Sequence, residues 1–446
     1  MKLRLLGCAT VTVLSLGQLI ADSPAAAPAP VVAQDVVSRQ TSAGRRLALP
    51  RWLTIGGEIR GRTEFNTGVG FTSNDNSFHL NRARLDLGIR LNNQVRFRAQ
   101  IQDSRAPGWD TTPTAPASVA GSADLRLANF QIGDAGEGAL ELVAGRQALV
   151  FGSKRLISTS SWSNVGPAFD GVRLTQHLGN LRLHSFAATR VLSRSDGFDR
   201  ISSATKTFGT YASLQSGGGR TVIEPYWLAN TFSGRVSELG VRGGEEVHTF
   251  GTRLVRQGEA GMDYEVEILS QKGEIAGDGL SAWGAHANVG RRFADCRWTP
   301  RFFVDYSFAS GDGNRSDGRQ HTLRQLFPTH KWGTADDLAW RNIHEPLVGV
   351  QVEPRRKWRT TLQFRELFLA SRQDGLYGFS GVELVRNPAA TSSHIGQELD
   401  LQVNYRFSSR LDILGGYGHL FKGAYLKQSM PEHGVNVAFL MWTYKL

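Results

Sequence analysis

Leu53, Ile55, Gly57, Ile59, Gly61, Thr63 and Phe65 alternate with Thr54, Gly56, Glu58, Arg60, Arg62 and Glu64. A strict period of two over that length suits only an extended strand, whose successive side chains leave on opposite faces. One face here is apolar and the other is charged. The next segment repeats the design, with Ala83, Leu85, Leu87, Ile89 and Leu91 opposite Arg82, Arg84, Asp86 and Arg90. After Asn92-Asn93-Gln94 it returns as Val95, Phe97, Ala99 and Ile101 against Arg96, Arg98, Gln100 and Gln102, so the two segments form a hairpin. Later cases include Met262, Tyr264, Val266 and Ile268 against Asp263, Glu265 and Glu267, and Leu399, Leu401, Val403 and Tyr405 against Glu398, Asp400, Asn404 and Arg406. No helical periodicity of comparable length occurs.

Eighteen such segments can be read, near residues 53–66, 79–91, 95–104, 124–132, 139–147, 168–176, 181–191, 208–215, 221–229, 247–256, 262–271, 282–291, 298–309, 342–352, 358–370, 395–406, 411–420 and 436–446. Short connections such as 92–94 and 407–410 alternate with long ones such as 105–123, 148–167, 192–207, 310–341 and 371–394. A soluble sandwich would use strands of about 5–6 residues and bury the apolar face between layers. Many segments here approach the ~9–11 residues of a tilted membrane strand. The fold class read from this is all-β: a single closed antiparallel transmembrane β-barrel of about 18 strands, with short periplasmic turns and long extracellular loops. Closure is required because lipid cannot satisfy an open strand edge, and a barrel of this size leaves a wet lumen. The last segment, with Leu440, Trp442, Tyr444 and Leu446 on one face, ends as bacterial outer-membrane barrels commonly do, although usually with Phe.

No apolar run reaches the ~20 residues of a membrane helix. Lys2 and Arg4, the apolar stretch Leu5 to Ile20 and the small-residue zone Ala21 to Ala33 read as a secretory leader over 1–33, with cleavage between 21 and 33. Residues 34–50 read as a flexible lead-in and 51–446 as the barrel. Cys8 falls in the leader, so Cys296 is the one cysteine of the exported chain and no cysteine framework or metal site is expected. The formal charge of +11 comes from 51 Lys plus Arg, against 40 Asp plus Glu, and 42 of those 51 are Arg. Guanidinium recognises carboxylate and phosphate through paired donors, so the expected partner is anionic. An exported barrel in the outer membrane of a Gram-negative bacterium meets lipid, anionic polysaccharide or small anions, and not nucleic acid.

Arg60, Arg62, Arg82, Arg84, Arg96 and Arg98 share the charged face of the first three segments, and with Arg90 they outnumber Glu58, Glu64 and Asp86. Facing water, they form an anion-guiding wall. The alternative is that Glu58, Glu64 and Asp86 neutralise them structurally as wall ladders. Arg406 shares its charged face with Asp400. Arg146 falls in the parity of Leu140, Leu142 and Ala144, which would aim it at lipid, so a bulge at Gly145 is expected to turn it inward.

Three stretches carry a family resemblance. They are Gly145-Arg146-Gln147 through Arg155-Leu156, Trp162-Ser163-Asn164 and Phe169-Asp170-Gly171-Val172-Arg173-Leu174; Ala309-Ser310-Gly311-Asp312-Gly313-Asn314 with Asp317-Gly318 and Leu326-Phe327-Pro328-Thr329-His330; and Gly396-Gln397-Glu398-Leu399-Asp400-Leu401 with Gly416-Tyr417-Gly418-His419-Leu420-Phe421. Together they resemble the bacterial alginate export outer-membrane proteins. The resemblance implies an eighteen-stranded barrel exporting a polyuronate through an Arg-lined constriction. It also implies Arg146, Arg155 and Arg173 as constriction arginines, with Asp170 and Asp400 as balancing acids.

Asp312-Gly313-Asn314-Arg315-Ser316-Asp317-Gly318 looks like the start of a calcium loop, but its Gly is one place late and the twelfth position is Leu323, so it reads as a turn. No nucleophile elbow, phosphate loop or paired-His motif appears, so neither an enzyme nor a cofactor is expected. Three functions are weighed: an exporter of an anionic polysaccharide such as alginate, working with periplasmic secretion partners; an anion-selective uptake porin for small carboxylates or phosphates; and, last, a barrel-embedded hydrolase. The length of loops 310–341 and 371–394 suggests that they fold into the mouth.

Overall fold

The computed structural model describes residues 49–446 apart from 74, 110–118, 134–137, 160–161, 196, 217, 259–260, 329–330, 336–337 and 431–432. The leader expected over 1–33, nearly all of the lead-in, and Thr329 and His330 lie outside the described residues. Among the described residues, eighteen long strands run β1 (Leu53–Thr67), β2 (Asp75–Arg90), β3 (Val95–Arg105), β4 (Gly121–Gly133), β5 (Leu140–Gln147), β6 (Phe169–Leu178), β7 (Leu181–Leu192), β8 (Thr205–Ser216), β9 (Thr221–Val236), β10 (Arg242–Arg256), β11 (Gly261–Ile275), β12 (Asp278–Arg292), β13 (Arg301–Ala309), β14 (Ile343–Val352), β15 (Trp358–Leu369), β16 (His394–Arg406), β17 (Leu411–Lys422) and β18 (Val435–Lys445). Each pairs antiparallel with its sequence neighbour. β18 returns to β1 with Ile59 opposite Tyr444 and Thr67 opposite Asn436, which closes the sheet and removes its edges.

The apolar faces point outward. Leu85 is 48% exposed, and Ile59, Ile101, Phe130, Ile268, Val304, Val348, Leu401 and Leu440 are likewise open on the outer wall. A continuous apolar belt of this kind has lipid as its partner, not a second layer of protein. Aromatic rings flank it at both ends. Trp52, Trp358 and Phe407 lie exposed at the end bearing the short turns, and Phe65, Tyr417 and Phe421 lie exposed toward the long loops. These features define a bacterial outer-membrane β-barrel.

Several hairpins rise beyond the expected strand limits. β11 and β12 extend to a two-residue turn in which Ala276 (φ 51) and Gly277 (φ 96) both adopt the left-handed conformation, the geometry whose twist matches that of paired strands. The sequence reading broke this hairpin early because apolar alternation stops where the strands leave the lipid.

The buried core lies inside the barrel and is built from loops. Leu149, Ile157, Leu323, Trp340 and Leu376 are each at most 1% exposed. The connection between β13 and β14 enters the lumen, in line with the length argument. The connection between β5 and β6 enters as well, although only the longer 310–341 and 371–394 are expected to do so from their length. The connection between β15 and β16 packs on the β13–β14 connection, with Asp374 accepting from the Asp312 amide at 2.9 Å and from Thr322 Oγ1.

Candidate functional site

The inward faces of β1 to β4 carry a ladder of arginines. Arg60 lies directly opposite Arg82 in the β1–β2 register, a like-charge pairing that is unfavourable unless both groups find acceptors. The β5–β6 loop supplies them. Arg60 Nη2 donates to the Asn164 side-chain oxygen at 3.0 Å and to the Ser163 carbonyl at 3.2 Å, and Arg82 Nη1 donates to that same carbonyl at 2.9 Å. Arg62 donates to the Trp162 carbonyl, pairs with Glu64 at 2.6 Å and lies 3.9 Å over the Trp162 ring. Glu58 accepts from Arg82 at 2.5 Å and from Arg84 at 3.2 Å. Arg84 also donates from Nε to Gln102 at 2.6 Å, and its Nη2 has no partner.

Below the loop the ladder continues toward the periplasmic turns. Arg98 sits opposite Gly88 and approaches Asp86 at 3.5 Å, while Arg96 reaches Glu141 at 3.3 Å; their side chains are 27% and 37% exposed. Arg126 joins them, donating to Gln100 Oε1 at 2.6 Å. It was missed in the sequence because β4 carries a bulge: Gln100 faces Leu127 and Ile101 faces Leu125, so Arg126 is the extra residue and turns inward. The signal was present. Leu125 and Leu127 are out of phase with Phe130 and Ile132, and a phase break within one strand marks a bulge.

The opposite wall is lined by carboxylates, each held by an arginine. Arg155 Nη1 donates to Glu265 at 2.5 Å and to Glu267 at 2.7 Å, and Ser153 donates to the same Glu265 oxygen at 2.5 Å. Arg253 links Glu224 at 2.5 Å with Glu265 at 3.2 Å. Tyr211 and Tyr226 donate to Glu224 and Glu267, each at 2.8 Å. Farther round, the fully buried Arg365 bridges Glu345 at 2.7 Å and Asp400 at 3.0 Å. Arg365→Met would leave two buried carboxylates without their cation. It is expected to cost about 3–5 kcal/mol, read as a lower urea midpoint for folding into lipid vesicles.

These contacts show two segments crossing the lumen. The β5–β6 loop is pinned to β11 by Ser153 and Arg155 and to β1–β2 by residues 162–164. In the β13–β14 loop, the Arg324 backbone amide donates to Gln271 Oε1 and its carbonyl accepts from Gln271 Nε2, while its side chain reaches Glu245 at 2.7 Å. The Thr334 and Ala335 amides of that loop donate to Asp400 at 3.0 Å and to Glu398 at 2.8 Å. The two straps meet where Ile157 bridges Phe327.

The structure therefore brings Arg60, Arg62, Arg82, Arg84, Arg96 and Arg98 onto one wall and places Arg155 and Asp400 on strap contacts across from it. Arg173 faces inward, 3.7 Å from Glu141. Arg406 is largely exposed at the periplasmic end, 3.4 Å from Asp412. Arg146 and Asp170 depart from expectation. No bulge forms at Gly145, because β4, β5 and β6 run in unbroken register through Asn129, Gly145 and Gly171. The glycine instead permits close approach: at φ 117, an added Cβ would lie 2.4 Å from the Ala128 carbonyl oxygen. Arg146 keeps the outward parity, and Asp170 beside it accepts two hydrogen bonds from it, at 2.9 and 3.1 Å. This forked pair at the extracellular rim makes an outward arginine tolerable. Neither residue lines the lumen.

No curated protein matches the chain. Solved structures of similar fold include Pseudomonas aeruginosa OccK1 (OpdK), with a TM-score of 0.60 and 10% identity over 88% of this chain and 98% of that one. P. aeruginosa OccK2 (OpdF) in complex with glucuronate aligns with a TM-score of 0.59 and 10% identity, covering 88% of this chain and 98% of that one. P. aeruginosa OpdK with vanillate gives the same TM-score, identity and coverages. At such identities the likeness speaks for the barrel alone. The family model described as alginate export matches residues 51–438, nearly the whole of the barrel built above, and this chain belongs to the alginate export family.

Proposed function

We propose that this protein is a passive outer-membrane channel preferring small anionic solutes, carboxylates foremost. One observation carries the reading: a continuous arginine ladder descends one wall while two protein straps cross the space in front of it. The ladder raises the local concentration of anions. The straps leave room for a compact solute more readily than for a polymer chain. The carboxylates named with two barrels of similar fold, glucuronate and vanillate, support the same substrate class.

Export of an anionic polysaccharide is the second reading, favoured by the family match. It requires the straps to move aside. Single-channel recording in planar bilayers separates the two. A small-solute channel shows anion-preferring reversal potentials, and glucuronate blocks it as well as uronate oligomers do. An exporter shows block that strengthens with oligomer length from the periplasmic side. Cation preference would defeat both readings.

A further inference from the structure

We propose a second anion site, separate from the β1–β4 ladder, on the lumenal face of β6 and β7 near the periplasmic end, formed by Arg173, His177, Arg182 and His184 and taking the carboxylate of a passing solute. The proposal rests on the reading of the barrel as an anion channel. The β6–β7 register sets His177 opposite Arg182 and Thr175 opposite His184, with Arg173 one inward step above Thr175. His177 and Arg182 are thus the first inward pair after the turn at Gly179-Asn180. The register thus gathers Arg173, His177, Arg182 and His184 into one inward-facing patch on two adjacent strands.

Two features separate this cluster from a structural ladder. Among the described residues its one facing acid is Glu141, already shared between Arg96 and Arg173. Among the described residues no carboxylate pairs with Arg182, His177 or His184. The second feature is the imidazole nitrogen His184 Nε2, since arginine Nε atoms lack partners at the carboxylate-held Arg155 and Arg253 as well. Arg173 Nε, Arg182 Nε and His184 Nε2 are shielded from solvent and have no hydrogen-bond partner. His184 is 5% exposed and Arg173 8% exposed, and the His184 ring is oriented through Nδ1 by Thr175 Oγ1 at 2.9 Å, with the Phe151 ring 6.0 Å away. A basic patch on two neighbouring strands that shares a single carboxylate has donor capacity left for an acceptor group of two oxygens. Glu141 links Arg173 to Arg96 of the ladder, and Arg182 lies nearest the periplasmic mouth. Two modest sites in series let a solute pass between them, whereas one deep site would retain it.

The test uses the full chain in planar bilayers, with glucuronate as the probe added to one side at a time. Arg182→Gln and the Arg173→Gln/Arg182→Gln pair should raise the half-blocking concentration from the periplasmic side, the pair by about tenfold, the loss expected for a charge-assisted contact. Arg182→Lys, which keeps the charge and loses the fork, should fall between wild type and Arg182→Gln. Arg182 is only partly buried, so its replacement leaves the barrel foldable; heat-shifted gel mobility verifies this. An unchanged periplasmic half-block in the folded double variant overturns the site while leaving the channel reading intact. Loss of anion preference already in the wild-type protein would instead overturn the channel reading.

Discussion

Arg84→Gln together with Arg126→Gln is expected to remove most of the anion preference, lowering the anion-to-cation permeability ratio by about tenfold or more, the scale on which a charged, low-dielectric wall concentrates counter-ions. These two are the informative positions because the loop does not hold them. Arg60, Arg62 and Arg82 donate to carbonyl oxygens of residues 162 and 163, whereas Arg84 and Arg126 contact only wall residues, namely Glu58, Gln102 and Gln100. Arg84 Nη2 and Arg126 Nε are left without partners. Glutamine keeps a polar stem beside Gln100 and Gln102, so the change is chiefly one of charge. The measurement is the reversal potential in a salt gradient, repeated at high ionic strength, where the difference from wild type should shrink with the Debye length. A reversal potential indistinguishable from wild type at low salt would mean that the ladder is structural.

Asn164→Ala is expected to undock the strap and raise single-channel conductance, with current noise from a segment that now moves. Asn164 is 1% exposed. Its Nδ2 donates to the carbonyls of Val119 at 2.9 Å, Asn81 at 3.0 Å and Arg105 at 3.2 Å, while its Oδ1 accepts from Arg60 at 3.0 Å. Few side chains here join so many elements. Alanine leaves several buried groups unpaired at ~1–3 kcal/mol each, a sum comparable to the ~5.5 kcal/mol that carries a two-state segment from almost always docked to almost always free. The remaining anchors at Ser153 and Arg155 keep the far end on β11, so the strap should swing and not detach. Unchanged conductance in a folded variant would show that the strap does not obstruct the path. Under the export reading the same variant should also pass longer uronate oligomers.

The sequence disclosed the barrel because lipid and water impose opposite demands on alternate residues. Every one of the eighteen expected segments overlaps a long strand, and the wall arginines at 60, 62, 82, 84, 96 and 98 all face inward. Parity was reliable wherever the ladder ran without interruption. It was misread at Arg146, where a bulge was invoked to avoid an outward charge and Asp170 had in fact neutralised that charge on the outside. It was also silent at Arg126, where a real bulge turned an arginine inward.

Strand number, the wet face and the basic character of the lumen therefore follow from local alternation and charge, since each depends on what a residue and its near neighbours can bear in lipid. The straps, the carboxylate wall and the division of arginines into held and available do not. They arise from contacts between residues far apart in the chain, such as Arg155 with Glu265 and Asn164 with Arg60, and a loop carries no periodicity that announces which wall it will reach. Closing the barrel brought those partners within bonding distance, and that closure set how much of the arginine ladder a solute can meet.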